Sequence, residues 1–359
     1  MRKTDNIELK DGLSGILRVH NESRFIGTCI DSCVDALDEL IIVYNDCTDD
    51  TPEIIRLKSK QYPNKIKSYA YNHNVISHNL TRDEYEYAKS LPENSLQLHS
   101  NQCNFALSKV TYKYAVKIDA DQIYIESEVL KWRNICHAND PTLNFKVLLG
   151  FCFSLCFSVY RRISTALGAP CLYLLPKWFC KLSNRSYLEY ARWMLINDKA
   201  SVAWSGLNLF YDSEWFVPFD GINIHPPYNG EGDTMIFKVS EKTFYKRFCK
   251  NGPPYSVIEL FVHPYKKMTF GPIVWFHLHA NRTYCYENVL NVKKEYPEKF
   301  LTIEAFLTQS YRQVHSRLNP RSHSLYQRIL FGFVHNVSSE VIASNVGILQ
   351  KIRDIIKWN

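Results

Sequence analysis

YAVKIDADQIYI, residues Tyr114–Ile125, holds the pattern on which the fold turns. Tyr114, Ala115, Val116 and Ile118 read as a buried strand, yet Asp119 and Asp121 follow with only Ala120 between them. Charged side chains are rarely buried unless they are paired or hold a metal. In an extended segment residues i and i+2 point the same way, so both carboxylates are expected to face one site. Such oxygen ligands suit a hard divalent cation, and Mg2+ in particular is held by one or two carboxylates plus substrate phosphates. A turn, or the N-cap of a helix through Glu126 and Glu128, would use the same pair, and the residues alone leave both readings open.

The preceding chain alternates. SGILRVH (14–20) predicts a strand, and Phe25, Ile26, Cys29, Ile30, Cys33, Val34 and Leu37 recur at helical spacing. ELIIVYN (39–45) predicts a second strand, and Thr51 as N-cap with Pro52 behind it opens a helix through EIIRLK. KIKSYAY (65–71) predicts a third strand; then a polar loop, a helix near 97–109 and the strand YKYAVKID complete the run. This order predicts an α/β fold with a Rossmann-like, mostly parallel sheet flanked by helices. Ligands bind beyond the carboxyl ends of such strands, where Asn45-Asp46 and Asp119-Ala120-Asp121 both fall.

The whole chain of 359 residues, 46% hydrophobic, is expected to be globular. Its 43 Lys and Arg against 36 Asp and Glu suit an anionic ligand or an acidic membrane surface. Nucleic acid is not expected, since no basic run, zinc-ligand spacing or recognition motif occurs. The polar start MRKTDNIELKDG and eleven cysteines without CxxC pairing predict reduced thiols and a cytoplasmic setting. The longest apolar run, VLLGFCFSLCFSVY (147–160), falls short of the roughly 18 residues that cross a bilayer. Beyond 145 aromatics, cysteines and prolines become dense, and 322–358 is helical by period, with Val341, Asn345, Ile348, Ile352, Ile355 and Ile356 along one face. Three regions are therefore expected: 1–145, 146–310 and a C-terminal helical extension, 311–359.

The order ILRVHNESRFIGTCIDSC, YNDCTDDTPEII, SNQCNFALS and YAVKIDADQ resembles the nucleotide-sugar half of family 2-type, GT-A fold glycosyltransferases over roughly residues 13–128. YNDCTDDTPEII is similar to that family's Asp-x-Ser-x-Asp-x-Thr segment, and Asp119-Ala120-Asp121 to its metal-binding motif. The resemblance implies that Asp46 bonds the nucleotide base and that His20 and Glu22 lie close to base and ribose. It also implies that Asp119 faces the ribose or donor sugar, sharing the metal with Asp121 on the diphosphate. Cys103-Asn104 departs from the Arg-Asn common in the family. The sugar-transfer chemistry implied is inverting.

Such a reaction needs a carboxylate or His base for the acceptor hydroxyl, which is expected from the second half. GEGDTMIFKVS (230–240) offers Glu231 and Asp233, and YSVIELF (255–261) offers Glu259. The family order, a strand followed by an acidic pair opening a helix, favours Glu259, where the usual Glu-Asp is reduced to Ile-Glu, with Asp233 as the second candidate. In GPIVWFHLHANR (271–282), His277 and His279 alternate on a strand-like run as candidate metal ligands, and Arg282 is a candidate diphosphate contact. Each has a plainer reading as a core histidine or a solvated charge. The aromatic region 147–193 and the terminal helix read either as core or as a membrane-facing surface.

These features predict a metal-dependent glycosyltransferase using Mn2+ or Mg2+. It would move sugar from a nucleotide-diphosphate donor to a glycan or lipid-linked oligosaccharide, with peripheral contact at the inner face of a membrane. A sugar nucleotidyltransferase is the rival enzyme, although its Gly-rich phosphate loop is missing near Ile16–Ile30. A catalytically silent carbohydrate- or membrane-binding module of the same fold is the other rival.

Overall fold

The computed structural model describes residues 8–138, 142–153, 155, 177–218, 228–229, 234–265, 268–308 and 338–356. They belong to two compact units interleaved along the chain. The first is drawn from 1–120, 129–138 and 236–266, and the second from 121–128, 139–235 and 267–359.

The first unit opens with β1 (Lys10–Val19), α1 (Ile26–Cys33), β2 (Glu39–Tyr44), α2 (Thr51–Gln61), β3 (Ile66–Ala70), α3 (Arg82–Ser90), α4 (His99–Ser108) and β4 (Tyr112–Ile118). β1 pairs in parallel with both β2 and β4, and β2 with β3, so the alternation in sequence becomes a parallel sheet. Leu13, Leu17, Ile41, Val43 and Val116 are fully buried, as strands covered on both faces require. Buried Glu39 is matched by Ser14 Oγ at 2.7 Å, the Thr111 backbone N–H at 2.7 Å and Lys67 Nζ at 2.6 Å. A carboxylate so satisfied is tolerated in a core.

Two local expectations are corrected. The polar stretch after β3 contains α3, whose start is a capping box: Thr81 accepts from the Glu84 N–H, and Glu84 Oε2 accepts from the Thr81 N–H. The Thr-x-x-Glu signal is present in the sequence, but the helix shows few apolar positions, burying only Tyr85 and Ala88. α2 takes Asp50 as its N-cap, and Thr51 Oγ1 instead accepts from the Glu22 N–H at 2.8 Å.

Farther along lie β5 (Gln122–Tyr124), α5 (Glu126–Ala138), α6 (Lys177–Ile196), β6 (Ser201–Asn208), β7 (Phe210–Asp212), β8 (Glu214–Pro218), β9 (Tyr228–Asn229) and β10 (Met235–Lys238). They are followed by β11 (Phe244–Lys250), β12 (Ser256–Val262), β13 (Met268–His277), α7 (Thr283–Glu295) and β14 (Phe300–Thr302). In the first unit Ile236–Lys238 runs antiparallel to β4, and β11 with β12 forms an antiparallel ribbon. In the second unit β13 pairs in parallel with β6 and antiparallel with β5, while β8 joins β7 and β14. Residues 338–345 and 347–356 are helical, as the period predicts, although the apolar side chains they bury, among the described residues, are Ile342, Leu349 and Ile352. Among the described residues, no helix is long and apolar enough to cross a membrane.

β6 is buried along its whole length, and Gly206 lies beside Trp275 of β13. A Cβ at Gly206 would overlap the Trp275 indole, which is itself fully buried. Gly206→Ala is therefore expected to destabilise the protein by about 1–3 kcal/mol, as overpacking does. A lowered urea midpoint with an unchanged slope checks it.

Candidate active site

In the first unit the turns after β1 and β2 are zipped together. His20 Nδ1 donates to the Asn45 carbonyl at 2.8 Å, Asn21 Nδ2 donates to Thr48 Oγ1 at 3.1 Å, and the Thr48 N–H returns a bond to Asn21 Oδ1 at 2.8 Å. Asp49 accepts from the N–H groups of Ser23 and Thr51 at 2.9 and 3.0 Å. Burial opposes its ionisation, but the bonds from Thr51 and Ser23 hold its carboxyl down at about 2. Asn21 and Asp46 both sit at positive φ, 52° and 40°, a region that Asn and Asp tolerate. Asp46 and His20 are exposed and Glu22 is half-buried, all at the carboxyl ends of parallel strands. Asp119 is half-buried and pairs with Lys117 Nζ at 3.5 Å.

A second cluster lies under β12. The Arg18 side chain, only 8% exposed, reaches Glu259 Oε1 through Nη2 at 3.0 Å and His99 Nε2 through Nη1 at 2.8 Å, and contacts the Cys103 sulfur. His99 Nδ1 lies 2.9 Å from Glu259 Oε2, which closes a ring of three side chains. Burial, reinforced by the neighbouring Arg18 charge, lowers His99, so the neutral ring accepts from Arg18 on Nε2 while Nδ1 faces Glu259 Oε2. Burial alone would raise Glu259, but Arg18 and then His99 outweigh it and hold the carboxyl far below the usual range. His99, Cys103 and Glu259 have the mutual spacing of metal ligands. However, the guanidinium already bonds all three, and burial pushes the Cys103 thiol up to about 12, which leaves it a poor ligand. Arg18 is the resident cation.

Glu259 is therefore not placed as the family order implies. It stands mid-strand in β12 rather than at a helix start, because SVIELFV alternates as a strand and pairs residue by residue with β11. A strongly ionised carboxylate with both oxygens engaged has low proton affinity, the opposite of what a general base needs. The other candidate, Asp233, lies outside the described residues, as does Glu231. Asn104 of the departing Cys-Asn pair exchanges two hydrogen bonds with the Tyr245 backbone, fastening α4 to β11.

The second unit brings Asp121, His277, His279 and Arg282 together. Asp121 Oδ2 lies 3.4 Å from His277 Nε2, 3.4 Å from His279 Nδ1 and 3.2 Å from Arg282 Nε. The placement follows from pairing. Gln122 lies opposite His277 across β5 and β13, and the Leu278 N–H bonds the Asp121 carbonyl at 2.8 Å. His277 Nδ1 donates to Asn208 Oδ1 at 2.6 Å, which orients the ring with Nε2 toward Asp121. Burial works against the Asp121 charge, but His277, His279 and Arg282 keep its carboxyl well below the usual range. Asp119-Ala120-Asp121 is a turn between β4 and β5, not an extended strand end.

Would this set fit a divalent cation? The three ligand atoms lie within 4.8 Å of one another. Ligands about 2.1 Å from a metal stand roughly 3.0–3.4 Å apart in octahedral or tetrahedral arrangements, close to the spacing observed. One carboxylate and two imidazoles suit a first-row transition ion, so the residues fit. The sequence reading missed Arg18, His99 and Asn208. Arg18 had a signal, being a charge inside the apolar strand ILRVH.

Replacing Arg18 by Met leaves Glu259 buried without its partner, and a cost of about 3–5 kcal/mol is expected. Arg18→Met with Glu259→Leu should recover most of it, read as urea midpoints. Glu259's folded pKa lies below its unfolded value near ~4.3 and His99's below ~6.5, so both contribute stability at neutral pH that is lost as pH falls through those ranges. The double variant should lose less stability than the parent between neutral and acid pH.

Residues 10–146 match the family model of beta-1,4-N-acetylgalactosaminyltransferase (CgtA). Among solved structures, glucosyl-3-phosphoglycerate synthase from Mycobacterium tuberculosis, in complex with Mn2+, uridine diphosphate and phosphoglyceric acid, is 22% identical over 32% of this chain and 34% of that one, with a TM-score of 0.21. A structure described as a mycobacterial protein is 21% identical over 32% of either chain, also with a TM-score of 0.21. The chain thus spans about a third of the length of these solved structures. No curated protein matches it significantly. Over 10–146 the chain is similar to a glycosyltransferase family, and β1–β4 have the parallel order that a GT-A nucleotide-sugar half implies.

Proposed function

We propose that the protein is a metal-dependent glycosyltransferase that moves a sugar from a nucleotide-diphosphate donor to a hydroxyl of a glycan or lipid-linked acceptor. The observation that carries this reading is the grouping of Asp121, His277 and His279 with Arg282 at one end of β13. It is supported by the glycosyltransferase family match over 10–146. Asp121, His277 and His279 are the proposed ligands of Mn2+ or Mg2+, and two imidazoles favour Mn2+. A bound cation there supplies electrostatic stabilisation for the charge of a departing nucleoside diphosphate.

The remaining roles fall to this chain's own groups. Arg282 pairs with the diphosphate as an arginine does with phosphate oxygens. His20, Glu22 and Asp46 meet the base and ribose from the rim of β1 and β2, and Asp119 meets the ribose or donor sugar. Asp233 is the proposed base, because Glu259 is held ionised by Arg18 and His99 and serves instead to position β12. The inverting course, the acceptor class and action at the cytoplasmic face of a membrane belong to the same proposal and rest on the sequence alone.

The test is thermal stabilisation by UDP-, GDP- and CMP-sugars with and without Mn2+, together with calorimetric titration of Mn2+ alone. A donor present at 100 times its Kd should stabilise by about 2.7 kcal/mol. Asp121→Asn and His277→Ala should each abolish the metal-dependent part of the shift, while Asp233→Asn keeps donor binding and lowers kcat about 10²–10⁴-fold. A metal-dependent shift that survives Asp121→Asn removes the assignment. Donor binding without transfer to any acceptor points to a silent module, and sugar-nucleotide synthesis from a nucleoside triphosphate points to a nucleotidyltransferase.

A further inference from the structure

The ribbon of β11 and β12 has two unlike faces. On the inner face Arg247 Nη1 donates to the carbonyls of Ala88, Lys89 and Leu91, Val257 packs with Tyr85, Ala88 and Leu98, and Glu259 holds Arg18. These contacts fasten the ribbon to α3, α4 and β1. The residues between them point the other way, as a strand requires. Across the register the outer pairs are Phe244 with Val262, Lys246 with Leu260, Phe248 with Ile258, and Lys250 with Ser256.

That outer face is unusual for a solvated ribbon. Phe244, Phe248 and Leu260 are 44%, 45% and 42% exposed, and Lys246 and Lys250 stand exposed among them. The two strands carry a single acid, Glu259, which faces inward and is consumed by Arg18 and His99. In the turn before β11, exposed Glu241 and Lys242 offset each other. Among the described residues of the ribbon and the turn before it, the face therefore presents large apolar side chains with lysines that no outward acid offsets, on a chain carrying +7 overall. A second copy of the same face would set lysine against lysine, which disfavours self-pairing. An anionic lipid surface complements both properties at once: apolar side chains enter the acyl boundary while lysines extend to the headgroups.

We propose that the outer face of the β11–β12 ribbon, centred on Phe244, Lys246, Phe248 and Leu260, docks the protein on an anionic membrane surface. This inference does not depend on the transferase reading, since it requires neither donor nor metal.

Co-sedimentation of the full chain with phosphatidylcholine vesicles, with and without phosphatidylglycerol, tests it. The chain should pellet with the anionic vesicles at low salt, far less at high salt, and not with phosphatidylcholine alone. Lys246→Glu with Lys250→Glu should weaken binding at least about tenfold, and Phe244→Ser with Phe248→Ser by a similar factor. Circular dichroism and an unchanged urea midpoint for the lysine pair certify that the fold is kept, so that pair decides if the phenylalanine pair fails to fold. Absence of vesicle binding, or binding that both pairs leave intact, overturns the proposal. Concentration-dependent dimers in solution that Phe248→Ser disperses, without any vesicle binding, overturn it in favour of a second copy of the chain.

Discussion

A guanidinium inside a strand cannot be left alone, and that constraint organises the first unit. Arg18 sits in β1 amid apolar neighbours, where an unpaired charge would cost several kcal/mol. It is tolerated because α4 brings His99 and Cys103 and β12 brings Glu259 to the same place. Three elements distant in sequence are thereby fixed to one another. The chemistry follows from the same contacts: His99 is held neutral, Glu259 ionised and Cys103 a thiol. A group of residues with metal-ligand spacing thus becomes a structural joint, because a side chain already supplies the cation.

The cluster around Asp121 obeys the same electrostatics, and it is the one proposed to take a cation. Its carboxylate faces two imidazole nitrogens and one guanidinium, and His277 Nδ1 donates to Asn208 Oδ1. That bond fixes the ring with Nε2 toward Asp121, as an outer partner does for a metal-ligating histidine. Whether a cluster becomes a joint or a binding site depends on where the positive charge comes from. Counting ligand-type residues does not reveal that.

Much of the fold was legible in the sequence. The alternation of β-branched runs with helical spacing over residues 13–118 corresponds to β1–β4 and most of their helices, since the strands are near-continuous apolar runs and α1 buries Ile26, Cys29, Ile30 and Cys33 along one face. α3 escaped notice because it buries little and is otherwise charged, although its capping box was written in Thr81 and Glu84. The candidate ligands Asp121, His277 and His279 were also visible, through charge in an apolar context and period-two spacing.

Tertiary structure alone decided which of these residues meet. Asp119 and Asp121 are neighbours in sequence, yet one pairs with Lys117 and the other with His277, His279 and Arg282. A turn at 119–121 breaks the alternation that an extended segment would have kept. Glu259 belongs to Arg18, 241 positions away, because strand pairing and α4 carry it there, and no local rule records a contact of that range. The sequence determined the elements and the residue types available for chemistry. Long-range packing assigned the partners, and partners set the charge state on which each role depends.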